Sequence, residues 1–305
     1  MNRPVRVLVT GAAGQVGVDL VDTLEGRVPP GGRDGRPLDG SAVGAGEFEV
    51  LGLTHHDLDV SHRGDVERAL AASRPDVVVH LAAYTKVDAA QRDVSRCFAV
   101  NADGVGHVVD AASAVGAHVI AVSTDYVFDG RKGAAYREDD LTNPQSVYGA
   151  SKRAGEERCP PEVTLVRASW IMGVRGTSVV HTMARRAREG QEVRFVTDQR
   201  GTITASADLA AGLVALVRAR PGGVWHVAND GDATWFDVAQ HVGRVLGRGD
   251  DFDRPILTSD LEPPPLAARP ERSDLDTTTW RQHFAPLGPW RESVERLVTW
   301  GSDSR

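Results

Sequence analysis

The run TGAAGQVG at residues 10–17 sits between the apolar stretch VRVLV and a helical pattern, and that order narrows the fold more than any other feature. Glycines at Gly11, Gly14 and Gly17 allow a tight turn, close approach of the backbone to a diphosphate, and close packing of helix on strand. A glycine turn of this kind opening an alternating strand and helix chain predicts a dinucleotide site. The GxxGxxG spacing, in place of GxGxxG, points to reductases of the short-chain dehydrogenase kind.

The alternation continues. Strands are predicted over 5–10, 49–53, 77–81, 119–123 and 164–167, with helices over 15–24, 65–72, 94–114 and 147–158 between them. Such βαβ units build a parallel sheet. Beyond Trp170 the rhythm loosens into a helix at 179–189, a strand at 193–196, helices at 208–219 and 235–246, and a strand at 224–228. The fold class expected is α/β: a Rossmann-type doubly wound parallel sheet with a smaller C-terminal α/β substrate-binding lobe. Residues 1–170 form the dinucleotide-binding domain, 201–228 return to it, and 171–200 with 229–305 form the lobe. The Gly/Pro-rich stretch 25–46 reads as a surface loop.

With 305 residues and 41% hydrophobic content the chain can bury a sizeable core, and a net charge of −7 gives no reason to expect nucleic acid or an anionic membrane as partner. No apolar run is long enough to span a bilayer, and the strand pattern begins without a signal peptide, so a cytoplasmic location is expected. Cys97 and Cys159 lie far apart without ligand spacing, which argues against both a disulfide framework and a zinc site. Only three lysines, Lys86, Lys132 and Lys152, stand among 35 basic residues. A well-placed lysine is therefore informative.

Lys152 is well placed. VYGASK sets Tyr148 and Lys152 four apart on a predicted helix, hence on one face. A free phenol has a pKa of about 10, and an adjacent ammonium is expected to lower it toward physiological pH, where proton transfer to a carbonyl oxygen is efficient. Thr124, at the carboxyl end of the fourth strand in STDYVFDG, lies on the sheet edge where ligands bind and completes a hydroxyl, phenol and ammonium set. The second strand ends at Thr54, His55 and His56 with no acid to take a ribose hydroxyl, which favours NADPH, with His55 as a candidate phosphate neighbour and NADH as the alternative. Asp59 can reach the adenine amine.

Taken together, GAAGQVG, RPDVVVHLAAYTKVDAAQ, STDYVFDG, NPQSVYGASKRAGE, RASW, TDQRGT and ARPERSDLD resemble the dTDP-4-dehydrorhamnose reductases, a branch of the extended short-chain dehydrogenases, over almost the whole chain. The resemblance implies cofactor contacts at Gly14, Gln15, Val16, Asp59, Val60, Ala83, Tyr84 and Thr85, besides Gly11, Gly17, Tyr148 and Lys152. It implies substrate and catalytic roles for Thr124, Asp125, Tyr148, Lys152 and Trp170, and Arg269 or Arg272 is available to a diphosphate. The chain departs from the family pattern at His80, Leu81, Gln91 and Ile203; His80, on a buried strand, reads as a core residue.

The implied reaction is reduction of a dTDP-4-keto-6-deoxy sugar, dTDP-4-dehydro-L-rhamnose first, with a 4-ketoreductase of an antibiotic deoxysugar such as dihydrostreptose as alternative. Dehydratases of the same fold carry Thr-Asp-Glu where this chain has Thr124, Asp125 and Tyr126, which favours plain ketone reduction. A catalytically silent NADP-binding regulatory subunit is the rival from another class, and the Tyr148 and Lys152 pair counts against it. The sequence leaves Mg2+ open, assigns no metal ligands, and fits a monomer or a homodimer.

Overall fold

The computed structural model describes residues 3–32, 43–176, 178–249 and 252–300. Strands β1 (Val5–Thr10), β2 (Phe48–Leu53), β3 (Val77–His80), β4 (His118–Thr124) and β5 (Thr164–Ala168) alternate with helices α1 (Gln15–Leu24), α2 (Arg63–Ser73), α3 (Val87–Ala90), α4 (Val94–Phe98), α5 (Gly104–Val115) and α6 (Val147–Glu156). Next come β6 (Ile171–Met172), α7 (Val179–Arg188), β7 (Val193–Val196), β8 (Arg200–Gly201), β9 (Thr204–Ala205), α8 (Ser206–Ala219) and β10 (Gly223–His226). The chain closes with β11 (Ala233–Thr234), α9 (Trp235–Val245), β12 (Asp253–Ile256), α10 (Thr278–His283) and α11 (Trp290–Thr299).

Six strands make one parallel sheet in the order β10-β5-β4-β3-β1-β2. The chain moves outward from β1 in one direction to β2 and in the other to β3, so the crevice at the strands' carboxyl ends opens between β1 and β3. Val77, Val78 and Val79 are fully buried, as a strand covered on both faces requires. One face packs α1 and α8 through Leu20, Leu209, Leu213 and Leu216, and the other packs α2 and α5 through Val66, Leu70, Val105 and Val108. A separate core around Met183, Val242, Phe252, Trp290 and Val294 joins α7, α9 and α11. Trp280 and Leu287, from the stretch expected in the lobe, lie instead in the core beneath the sheet.

Three sequence expectations change. The single helix predicted over 94–114 is α4 and α5 joined by a π turn at Ala99–Asp103, which inserts the extra residue that re-aims Asn101. The Pro-rich C-terminal stretch holds α10 and α11, each too short or too flanked by proline to read as periodic. Of the loop predicted at 25–46, residues 33–42 lie outside the described residues. Its first part docks, because Arg296 of α11 donates to the Gly31 carbonyl at 2.8 Å.

Candidate active site

The glycine turn is built as its spacing demands. Gly11 has φ +69°, and a Cβ there would lie 2.7 Å from the Ala82 nitrogen, so the turn can press against the chain leaving β3 only without a side chain. A Cβ at Gly17 would overlap the Gly11 carbonyl. Gly14 caps α1 without a side-chain hydrogen bond, and no acid stands in the first helical turn. A helix start capped by glycine, with no carboxylate to repel an anion, fits a dinucleotide diphosphate.

Thr10 and His80 close the floor. Thr10 Oγ1 lies 2.8 Å from His80 Nδ1, and burial pushes the imidazole down to about 3, so His80 is a neutral core residue, as its strand position predicts. Just beyond, the side-chain amide of Asn101 accepts from the Tyr84 N–H at 2.8 Å and donates to the Tyr84 carbonyl at 3.0 Å. The same Nδ2 donates to Ser151 Oγ at 2.9 Å, and Ser151 donates to the Tyr148 carbonyl at 2.7 Å. Asn101 thus fixes the segment Ala83, Tyr84 and Thr85 against α6. Sequence reasoning missed it, since nothing in a helix-like run marks a π turn.

Helix α6 carries Tyr148 and Lys152. Its start is capped by Ser146, which accepts from the Gly149 N–H at 3.1 Å, and by Gln91, whose Oε1 accepts from the Val147 N–H at 2.8 Å. Gln91 therefore holds the start of the helix that bears Tyr148 and Lys152. Gly149 lets α6 touch the turn after β4: a Cβ there would overlap the Tyr126 carbonyl. Tyr126 and Tyr148 meet edge to face at 5.6 Å.

The structure brings Thr124, Tyr148 and Lys152 to one end of the sheet but corrects the expected electrostatics. Burial raises the Tyr148 phenol above its ordinary value, Asp125 adds to the rise, and a hydrogen bond with Thr124 opposes it. Lys152 is 5% exposed, donates from Nζ to the Val122 carbonyl at 2.7 Å, and is pushed down to about 8 by the same burial. Burial is the largest influence on the phenol and favours its neutral form.

The other expected site residues have these partners within the protein. Asp125 is buried, and its carboxylate accepts from Ser273 at 2.6 Å and Thr124 at 3.0 Å; burial raises it to about 6. Asp59 accepts from Arg96 at 2.7 Å and from Ser61, and stays well below the usual carboxylate range. Arg269, expected toward a diphosphate, makes a two-pronged pair with Asp88 at 2.7 and 2.9 Å. Arg272 pairs with Asp274 at 2.7 Å. Trp170, after β5, has φ +43° and stacks on Trp235. Val60 is buried beside Gly104 of α5. Among the described residues no group of three or more His, Cys, Asp or Glu could hold a metal ion, and no helix is long and apolar enough to cross a membrane.

The chain as a whole is similar to known proteins. Residues 5–301 match the RmlD substrate binding domain family. The chain is 38% identical over 299 residues to a dTDP-4-dehydrorhamnose reductase of Streptomyces griseus, covering 95% of this chain and 91% of that one. It is 37% identical over 296 residues to a probable dTDP-4,6-dihydroxy-2-methyloxan-3-one 4-ketoreductase of Streptomyces antibioticus, covering 95% and 93%. A dTDP-4-dehydrorhamnose reductase of Bacillus anthracis, solved in complex with NADP, superposes with a TM-score of 0.84 at 32% identity, covering 96% and 98%. By the family match over residues 5–301 and these identities, the chain belongs to the dTDP-4-dehydrorhamnose reductase family of enzymes.

Proposed function

We propose that the chain reduces a dTDP-4-keto-6-deoxy sugar with NADPH, dTDP-4-dehydro-L-rhamnose to dTDP-L-rhamnose in the first instance, and that Tyr148 is the proton donor. The observation carrying this reading is that Thr124, Tyr148 and Lys152 converge at the sheet edge where the glycine turn emerges. The start of α1, with Gln15 and Val16 in its first turn, would hold the dinucleotide's diphosphate, and the segment Ala83 to Thr85 would hold its ribose. Reduced nicotinamide supplies the hydride.

The chain's own residues do the rest. Thr124 hydrogen-bonds the phenol and orients the sugar's carbonyl oxygen beside it. As hydride reaches C4 of the sugar, the Tyr148 O–H bond breaks and its proton passes to the emerging alkoxide. A raised phenol pKa keeps that proton in place at neutral pH, and transfer to an alkoxide remains strongly downhill. Lys152, mostly protonated below about pH 8, holds the dinucleotide ribose and stabilises the phenolate left behind.

A second reading, 4-keto reduction of an antibiotic deoxysugar, draws on the 37% identity to the Streptomyces antibioticus relative. Incubating the protein with dTDP-4-keto-6-deoxy sugars of defined stereochemistry and NADPH or NADH, with product configuration read by NMR, separates the two. dTDP-L-rhamnose supports the first reading and its C4 epimer contradicts it. NADPH binding without conversion of any sugar identifies a silent regulatory subunit.

A further inference from the structure

We infer that Trp235 is a positioning residue for the sugar-nucleotide site, acting through Trp170. The two indoles lie face to face with centroids 4.1 Å apart and planes 4° from parallel. They come from distant parts of the chain: Trp170 follows β5 of the sheet, Trp235 is the first residue of α9, and both pack against the second core.

Trp170 needs support. Its φ of +43° is a left-handed conformation that bulky side chains rarely adopt, and such a residue persists only where its surroundings over-determine it. Two constraints do so. A Cβ at Gly201 would lie 2.7 Å from Cε2 and 2.8 Å from Nε1 of the indole, so glycine there makes room for the ring's edge. Trp235 then covers the ring's face.

Trp235 is itself anchored. Thr234 and Asp237 form a capping box, with the Asp237 N–H donating to Thr234 Oγ1 at 3.0 Å and Asp237 accepting from the Thr234 N–H at 2.8 Å. Arg200, next to Gly201, pairs with Asp232 and approaches Asp237 to 3.8 Å. One cluster thereby fixes both the strand that admits the Trp170 edge and the helix start that backs its face. The wall that Trp170 presents to the substrate is set by this cluster, and Trp235 transmits that setting.

This inference rests on the proposed sugar-nucleotide site, and the test keeps the two apart. The probe is dTDP-glucose, which binds without turnover, titrated calorimetrically into wild type, Trp235→Ala and Trp235→Phe. Paired indoles this close give an exciton couplet in circular dichroism; Trp225 and Trp280, 6.5 Å apart, contribute their own in every variant, so the couplet of the stack is read, without any ligand, as the wild-type minus variant difference. In Trp235→Ala the couplet disappears, the dissociation constant for dTDP-glucose rises roughly 5- to 10-fold, and NADPH affinity is unchanged, while Trp235→Phe recovers most of the sugar-nucleotide affinity. Unchanged dTDP-glucose affinity in Trp235→Ala with the couplet lost overturns the inference alone. Equal loss of NADPH affinity also overturns it, showing general damage. Failure of wild type to bind dTDP-glucose overturns the proposed function and the inference with it.

Discussion

Ser273 donates a 2.6 Å hydrogen bond to the buried carboxylate of Asp125, tying the turn after β4, next to Thr124, to the chain segment ahead of α10. Burial raises Asp125 from 3.8 to about 6 in the folded protein. The folded state therefore binds more protons than the unfolded one between those values. The stability contributed by that proton is present below about pH 4 and is lost as pH rises through about 6. Asp125→Asn removes this dependence. Urea unfolding from pH 4 to 7 is expected to show the variant gaining about 3 kcal/mol on wild type across that range. A difference that does not move with pH contradicts the assignment.

His80 has the opposite sign. Its folded value of about 3 lies below the ordinary 6.5, so stability is full above about pH 6.5 and is lost as pH falls. In His80→Asn, acid unfolding is expected to be shallower, with wild type losing about 3 kcal/mol relative to the variant between pH 6.5 and 4. Parallel curves for the two proteins rule this out.

Arg167 and Glu156 form a buried pair at 2.8 Å with side chains 6% and 4% exposed, and Ser123 donates to the same carboxylate at 2.6 Å. Removing one partner strands a charge. Arg167→Met alone is expected to cost about 3–5 kcal/mol in chemical unfolding, and the double variant with Glu156→Leu to recover much of it. A double variant as unstable as the sum of the singles shows that the pair is not coupled.

Lys152 is pushed down to about 8 by burial, so the rate of sugar reduction is expected to fall as pH rises through that value. Lys152→Arg keeps the charge, and its residual activity should hold to higher pH. An alkaline limb at the same pH in both proteins assigns the titration to another group.

What the sequence made legible was local. The glycine turn, the β-branched strands and the four-residue spacing of Tyr148 and Lys152 are written within single elements, and the structure has them there. The contacts that bind those elements are not. Asp125 and Ser273 stand 148 residues apart, Arg269 and Asp88 181 apart, and no local pattern announces either pair. Hence the ion pairs of Arg269 with Asp88 and of Asp59 with Arg96 appear only in the structure. The phenol's acidity was misjudged for the same reason: spacing places an ammonium nearby, while burial, which spacing does not encode, sets the larger effect.

The central claim is that Tyr148 protonates the reduced sugar, and exchange of its hydroxyl for hydrogen tests it most directly. Tyr148→Phe should lower kcat by about 100- to 10,000-fold in NADPH oxidation with the keto sugar, while NADPH affinity, read by fluorescence titration, stays within about 3-fold of wild type. Turnover in Tyr148→Phe equal to that of wild type contradicts the account.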